Sequence, residues 1–194
     1  MPDVQPLTQA FFARPVVTVA KELIGCKVLF DGCGGIIVET EAYDHEDPAS
    51  HCYGGRTSRN ASMFGPPGHA YVYRSYGIHW CLNFVCGRLP KHGEMASGVL
   101  IRAIEPTDGL ALIEERRGTR ERRKLCSGPG RVCQALNITK AQDGHPLDQP
   151  PFSVLRRIKR HEIAIGPRIG ISRAVETPWR FGMAGSGFVS RPFA

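Results

Sequence analysis

No stretch of the chain approaches the ~18 apolar residues that a membrane-spanning helix needs, and Arg102 interrupts even the apolar run from Gly98 to Ile104. No Cys-x-x-Cys pair occurs, which excludes zinc ribbons and thioredoxin-like redox motifs. The metalloprotease signature His-Glu-x-x-His is missing, and so is the Pro-Cys-x-x-Cys half of the zinc deaminase signature. Gly182–Gly187 is rich in glycine, but no helical pattern follows it, so it is no dinucleotide fingerprint. Met1-Pro2-Asp3-Val4 shows no basic segment leading into an apolar one, so a secretory signal is not expected. There is no internal repeat and no low-complexity tract. Lysine is scarce: 6 of the 25 basic side chains, the other 19 being arginine.

What is present fits one globular domain. The 194 residues are 42% apolar and 22% charged, near the norm for folded proteins. A chain of this size buries roughly 70% of its unfolded surface, enough for a core without covalent staples. Seven cysteines, an odd number, read as buried thiols in a reducing compartment, and the expected location is the cytoplasm. The net charge of +7 rests mainly on arginine, whose planar fork matches phosphate. A polyanionic partner and a GC-rich genome both explain that bias, and composition does not separate them.

The hydrophobic pattern predicts a short turn capped by Thr8, then a helix from Pro15 to Ile24 stopped by Gly25. Val16, Val19, Ala20, Leu23 and Ile24 share one face of it. Strand-like runs cover Cys26–Phe30, Ile36–Tyr43, Ala70–Arg74, Ile78–Cys86 and Gly98–Glu105, with Asp31–Gly35 as a hairpin loop. His51–Gly68 reads as a long ordered loop, and Asp143–Pro151 as another. A helix is expected to start at Pro106 and run from Leu110 through Lys124. Ser127-Gly128-Pro129-Gly130 opens another, with Val132, Cys133 and Leu136 inward. Strand is expected again over Phe152–Arg173, and a last one over Phe188–Arg191. No β-α-β rhythm appears. The expected fold class is therefore α+β: a single domain, 1–194, with a curved, mainly antiparallel β-sheet flanked by helices.

Several residues carry chemistry. Alternation along a strand places Ile37, Glu39, Glu41 and Tyr43 on one face. Either carboxylate could pair with an arginine, or act as a general base that deprotonates water. Arg102, a charge in an apolar strand, needs a carboxylate or anionic partner, and Glu41 is a plausible mate. Asp47-Pro48 reads as the start of a short helix carrying His51. A metal site from Glu39, Glu41, Asp44, His45 and His51 is conceivable, but no known spacing supports it. Tyr71 and Tyr73 share a face, and Tyr76-Gly77 presents a ring at a turn. These tyrosines either pack across strands or stack on bases. Asn83 either bonds local backbone or reads a ligand edge. Ser127-Gly128-Pro129-Gly130-Arg131 offers free N–H groups and a cation at a helix start, a possible phosphate cradle. The six cations between Arg116 and Lys124 form a solvated helix face that could also flank DNA.

In order and spacing, these motifs resemble the alkyladenine (3-methyladenine) DNA glycosylase family. The resemblance runs through Val38-Glu39-Thr40-Glu41-Ala42-Tyr43, His51, Gly55-Arg56-Thr57, Arg59-Asn60, Met63-Phe64 and Pro67-Gly68. It continues through Tyr71-Val72-Tyr73, Tyr76-Gly77, Cys81-Leu82-Asn83, Leu100-Ile101-Arg102-Ala103-Ile104-Glu105-Pro106 and Leu125-Cys126-Ser127-Gly128-Pro129. The resemblance implies a monofunctional enzyme that flips alkylated or deaminated purines out of duplex DNA and hydrolyses the N-glycosidic bond. The alternative is a damage-binding protein of the same fold with little turnover. Glu41 then resembles the general base and Arg102 the residue that holds it, with the main chain near Ile169 lining the same spot. Tyr43, His51, Tyr73 and Asn83 resemble the base pocket, Asn83 disfavouring guanine through its 2-amino group. Tyr76 resembles a minor-groove wedge, with Gly77, Ile78, His79, Thr57 and Arg131 at the DNA surface. Metal and cofactor are not implied. The partner is damaged duplex DNA, no membrane is involved, and a bacterial monomer is expected. Arg74-Ser75 and His79 depart from the family's usual residues beside the wedge.

Overall fold

The computed structural model describes residues 5–87 and 96–193; residues 1–4, on which the leader expectation rested, lie outside them. Lys27–Phe30 (β1) and Cys33–Tyr43 (β2) form a hairpin closed by Asp31 and Gly32 alone, both at positive φ (49° and 74°). Such a mirror-image turn matches the twist of the strands it joins. The expected loop extended to Gly35. Gly34 and Gly35 instead belong to β2, where a Cβ would lie 2.0 Å from the Val28 carbonyl oxygen and 1.9 Å from that of Glu105. Glycine here permits close strand approach.

Ala70–Ser75 (β3), His79–Cys86 (β4) and Ser97–Asp108 (β5) extend the sheet antiparallel, in the order β3-β4-β5-β2-β1, with Phe152–Leu155 (β6) beyond β1. Two short strands, Ile163–Gly166 (β7) and Arg180–Met183 (β8), branch from it. β1 pairs with β2 only as far as Ile36, and β8 takes over opposite Glu39, Thr40 and Glu41. These three residues therefore have β5 on one side and β8 on the other. Register shifts around Val38 and Thr40 are bulges, which bend a sheet and sharpen its twist.

Helices cover one face: Gln9–Phe12 (α1), Val16–Leu23 (α2), Leu110–Arg117 (α3), Arg122–Leu125 (α4) and Pro129–Leu136 (α5). Val16, Val19, Ala20 and Leu23 of α2, and Val132, Cys133, Ala135 and Leu136 of α5, join the main core with Ile37, Ala42, Val72, Leu82, Phe84, Val99, Ile101 and Ile104. Thr40 Oγ1 donates to the Ala20 carbonyl at 2.9 Å, pinning β2 to α2. Cys52, Met63, Tyr71, Val85 and Ala96 form a smaller second cluster. All seven cysteines are free and buried. Among the described residues no helix is long and apolar enough to cross a membrane.

Four expected elements differ. β5 runs through Pro106 to Asp108, so the next helix starts only at Leu110. That helix does not reach Lys124: Gly118, at φ 63°, takes the left-handed position that ends it, and α4 is a separate turn. Phe152–Arg173 is strand only in β6 and β7; residues 156 and 158–160, mostly cations, are exposed between them. Residues 188–191 form no strand, because the Ser190 N–H goes to the Glu39 carboxylate instead of a neighbouring backbone. Asp47-Pro48 opens turns, not a helix: Asp47 accepts from Ala49 N–H at 3.0 Å, while its carboxylate is also held by the distant Arg168.

Candidate active site

Beyond the bulge, Thr40 and Ala42 point to the helices, so Glu39, Glu41 and Tyr43 share the opposite face, as alternation predicts. Ile37, expected with them, lies in the main core instead. The extra residue at Val38 reverses the parity of the strand.

Glu41 is fully buried just beneath an open cleft of about 1300 Å³, whose lining includes its partners Tyr43, Arg102 and Ile169. Its Oε1 accepts from the main-chain N–H of Ile169 at 2.7 Å. Its Oε2 accepts from the Tyr43 hydroxyl at 2.8 Å and from Arg102 Nη1 at 3.3 Å. The expected Glu41–Arg102 pairing is thus present. Burial pushes the Glu41 carboxyl above the usual carboxylate range, against the pull of Arg102, the Ile169 N–H and Tyr43; the Glu39 charge adds to the rise. For Arg102, burial works against the charge, yet Glu41 and Glu39 hold the guanidinium above its ordinary value. Burial, then the Glu41 charge, raise the Tyr43 phenol, which stays protonated and able to donate.

Glu39 faces the same arginine. It accepts from Arg102 Nε at 3.3 Å, Arg180 Nε at 2.7 Å, and the Ser190 hydroxyl at 2.9 Å. Sequence reasoning missed Arg180, Ser190 and Arg168. Arg168 is a buried charge paired with Asp47. It donates to the Ala42 carbonyl at 3.0 Å and lies over the rings of Tyr43 (4.8 Å) and Trp179 (5.5 Å). It thereby fixes the loop whose next residue, Ile169, donates to Glu41. The one available signal was a charge set between Pro167 and Ile169 in an apolar stretch.

The walls are aromatic. His51 Nδ1 lies 3.0 Å from the Tyr71 hydroxyl, and its ring sits edge-on to Tyr73 at 4.4 Å between centroids. Tyr71 and Tyr73 stack at 5.5 Å, as their shared face predicts. Partial burial, then the Arg59 charge, lower the His51 pKa, so the ring is neutral near pH 7. Asn83 is buried and lines the cleft, its Nδ2 donating to the Tyr71 carbonyl at 3.1 Å.

The β3–β4 hairpin forms the rim. Tyr76 and Gly77 both take positive φ (50° and 69°), and the Ile78 N–H closes on the Ser75 carbonyl at 3.0 Å. This leaves Tyr76 85% and Ile78 67% exposed. Arg74 lies over the Trp80 ring at 5.6 Å. A Cβ on Gly130 would come within 2.9 Å of His79, so glycine lets the start of α5 press against the hairpin. Arg131 lines the cleft there, its Nη1 3.0 Å from Ser127 Oγ. Arg59, Arg117, Arg173 and Arg191 line it too. Arg117 belongs to the cation run read as able to flank DNA and Arg59 to the quoted motifs, whereas only the arginine-rich composition hinted at Arg173 and Arg191. Thr57 stands apart from the cleft walls, exposed, its hydroxyl 3.0 Å from Asn60 Oδ1; Asn60 in turn donates to the His51 carbonyl at 2.8 Å. Thr57 thus tightens the loop that carries His51. The acidic segment before His51 does not converge. Asp44 meets His45 and Ser97, Asp47 meets Arg168, and among the described residues no three potential metal ligands cluster.

A profile of the methylpurine-DNA glycosylase family matches residues 10–187. Proteins of Rhodopseudomonas palustris strain BisB18 and Nitrosospira multiformis, each named "Putative 3-methyladenine DNA glycosylase", are 60% and 59% identical. The alignments span 97% and 94% of this chain and 92% of each relative. A protein of the same name from Nitrobacter winogradskyi is 56% identical over 97% of the chain and 89% of its own length. The buried carboxylate–arginine floor, the aromatic walls and the exposed hairpin thus sit within a match spanning nearly the whole chain, which belongs to the methylpurine-DNA glycosylase family.

Proposed function

We propose that the protein is a monofunctional DNA glycosylase that takes alkylated or deaminated purines, of the 3-methyladenine, hypoxanthine and ethenoadenine class, from duplex DNA. The observation that carries this reading is Glu41, a carboxylate buried just beneath the cleft and held by its lining residues Arg102, Tyr43 and the Ile169 N–H. In the reaction, water attacks C1′ of the deoxyribose and gives its proton to Glu41. The glycosidic electron pair leaves with the base: a cationic alkylated purine departs neutral, while hypoxanthine or ethenoadenine departs as an anion that takes a proton from solvent. Glu41 gives its proton back to solvent, and an abasic site remains. Water and substrate alone balance the step. The carboxylate also stabilises the positive charge that develops on the sugar, and fixed surroundings do this without reorganisation.

The base must leave the stack to reach this floor, and damaged or mispaired bases cost less to unstack. Tyr43, His51 and Tyr73 are the pocket that receives it. Electron-rich rings attract a cationic alkylated purine, and a neutral His51 adds no opposing charge. Asn83 disfavours guanine through a clash with the 2-amino group. Tyr76 enters the minor groove and fills the vacated stack, flanked by Gly77, Ile78 and His79, while Arg131 meets phosphate.

Because Glu41 must be ionised and its pKa is raised, single-turnover activity should fall with acidification at a pH above the ordinary glutamate value of about 4.3. A pH–rate profile flat down to that value would contradict the assignment. The whole reading is tested by release of free base from duplexes carrying one hypoxanthine, ethenoadenine or alkylated purine, with EDTA present. Release is expected. Tight binding without release from any lesion would identify a damage-binding protein instead.

A further inference from the structure

Each nitrogen of the Arg102 side chain has its own acceptor. Nε faces Glu39 Oε1, Nη1 faces Glu41 Oε2 and Nη2 faces Ser190 Oγ, each at 3.3 Å. A planar guanidinium bonded at all three nitrogens has no rotational freedom left. Two of the three acceptors do not belong to the proposed reaction. Glu39 is fixed in turn by Arg180 Nε at 2.7 Å, by the Ser190 hydroxyl at 2.9 Å and by the Ser190 N–H.

Ser190 lies in a segment with no strand pairing of its own, anchored at Arg191 and Phe193. Arg180 donates to the Arg191 carbonyl and lies 3.9 Å from the centroid of the Phe193 ring. Phe193 fills the space above Gly182, where a Cβ would fall 2.3 Å from the ring. A chain segment with little other structure is thus seated on β8 and reaches Glu39 through the hydroxyl and the N–H of Ser190.

We propose that Glu39 and Ser190 are positioning residues that aim Arg102 at Glu41, with residues 190–193 acting as the clasp. This rests on the reading of Glu41 as the general base. Glu41 is faced by Glu39 and Tyr43 from β2, Arg102 from β5, Tyr73 from β3, Cys81 from β4 and Arg168 from the loop before Ile169, with Arg180 on β8 behind Glu39. In this set Glu39 is the negative charge that offsets two guanidiniums. Without it the Arg102 guanidinium acts on Glu41 undivided and the repulsion from Glu39 is gone, so Glu41 becomes a weaker base that ionises at lower pH.

The test is the pH dependence of single-turnover base release by full-length Glu39→Gln, Ser190→Ala, Ser190→Thr and Glu41→Gln. Glu39→Gln should move the acidic limb to lower pH and reduce the plateau rate. Ser190→Ala should slow release roughly 3- to 10-fold, the effect of one lost hydrogen bond, and Ser190→Thr should restore it. A cluster that merely supports folding would lower the active fraction without moving the limb. Wild-type rates and limbs in Glu39→Gln and Ser190→Ala, beside an inactive Glu41→Gln, would overturn the clasp and leave the base assignment standing. An active Glu41→Gln would remove the base assignment itself. Should Glu39→Gln fail to fold, the Ser190 pair decides alone: equal rates in both variants and wild type refute the proposal.

Discussion

Beneath the floor of the cleft, which Arg102 lines, Glu39, Glu41, Arg102 and Arg180 are buried and joined by hydrogen bonds to one another or to the main chain. At the tip of the β3–β4 hairpin, Tyr76 and Ile78 stand in solvent on a backbone that puts a non-glycine residue at positive φ. The floor is arranged before any substrate arrives, as stabilising a developing charge requires. The tip holds exposed apolar surface and backbone strain, which the proposed wedge role would put to use against DNA. On the proposed reading, position is fixed where the bond breaks, and exposure is kept where DNA is met.

The largest expected effect is at the floor. Arg102→Ala leaves two buried carboxylates short of a partner and should cost about 3–5 kcal/mol of folding stability, measured by urea denaturation. A loss within about 0.5 kcal/mol, the usual range for surface substitutions, would mean that the floor is not a locked network. At the tip the sign should reverse. Tyr76→Gly relieves a left-handed backbone and should stabilise the fold by about 1 kcal/mol, while weakening binding to lesion duplex by ~1–3 kcal/mol through the lost stack. Equal affinity of this variant and wild type would argue against a wedge. The smallest effect belongs to the rim: Arg131→Ala should lower the slope of log K against log salt by about 1 and leave the rate at saturating DNA unchanged. An unaltered slope would take Arg131 off the phosphate path.

The floor was legible where alternation is regular and illegible where it breaks. Glu41, Tyr43 and the pairing with Arg102 follow from strand periodicity and from the cost of an unpaired charge, whereas the bulge at Val38 removed Ile37 from their face. Arg180 and Ser190 escaped because their partner lies over 140 residues away in sequence, and no local pattern encodes so distant an ion pair. β8 is four residues long and contains a glycine, so it carries no alternation to read. The hairpin tip was visible as Tyr76-Gly77, since glycine marks the turn. The left-handed conformation of Tyr76 itself was not, because nothing in an aromatic side chain favours it.

The most direct test measures binding and base release on the same lesion duplex for wild type and Glu41→Gln. Loss of the proposed base should leave affinity within a few-fold of wild type and slow release by roughly a hundred- to ten-thousand-fold, the range typical of a general base. Release by Glu41→Gln at the wild-type rate would contradict the account at its centre.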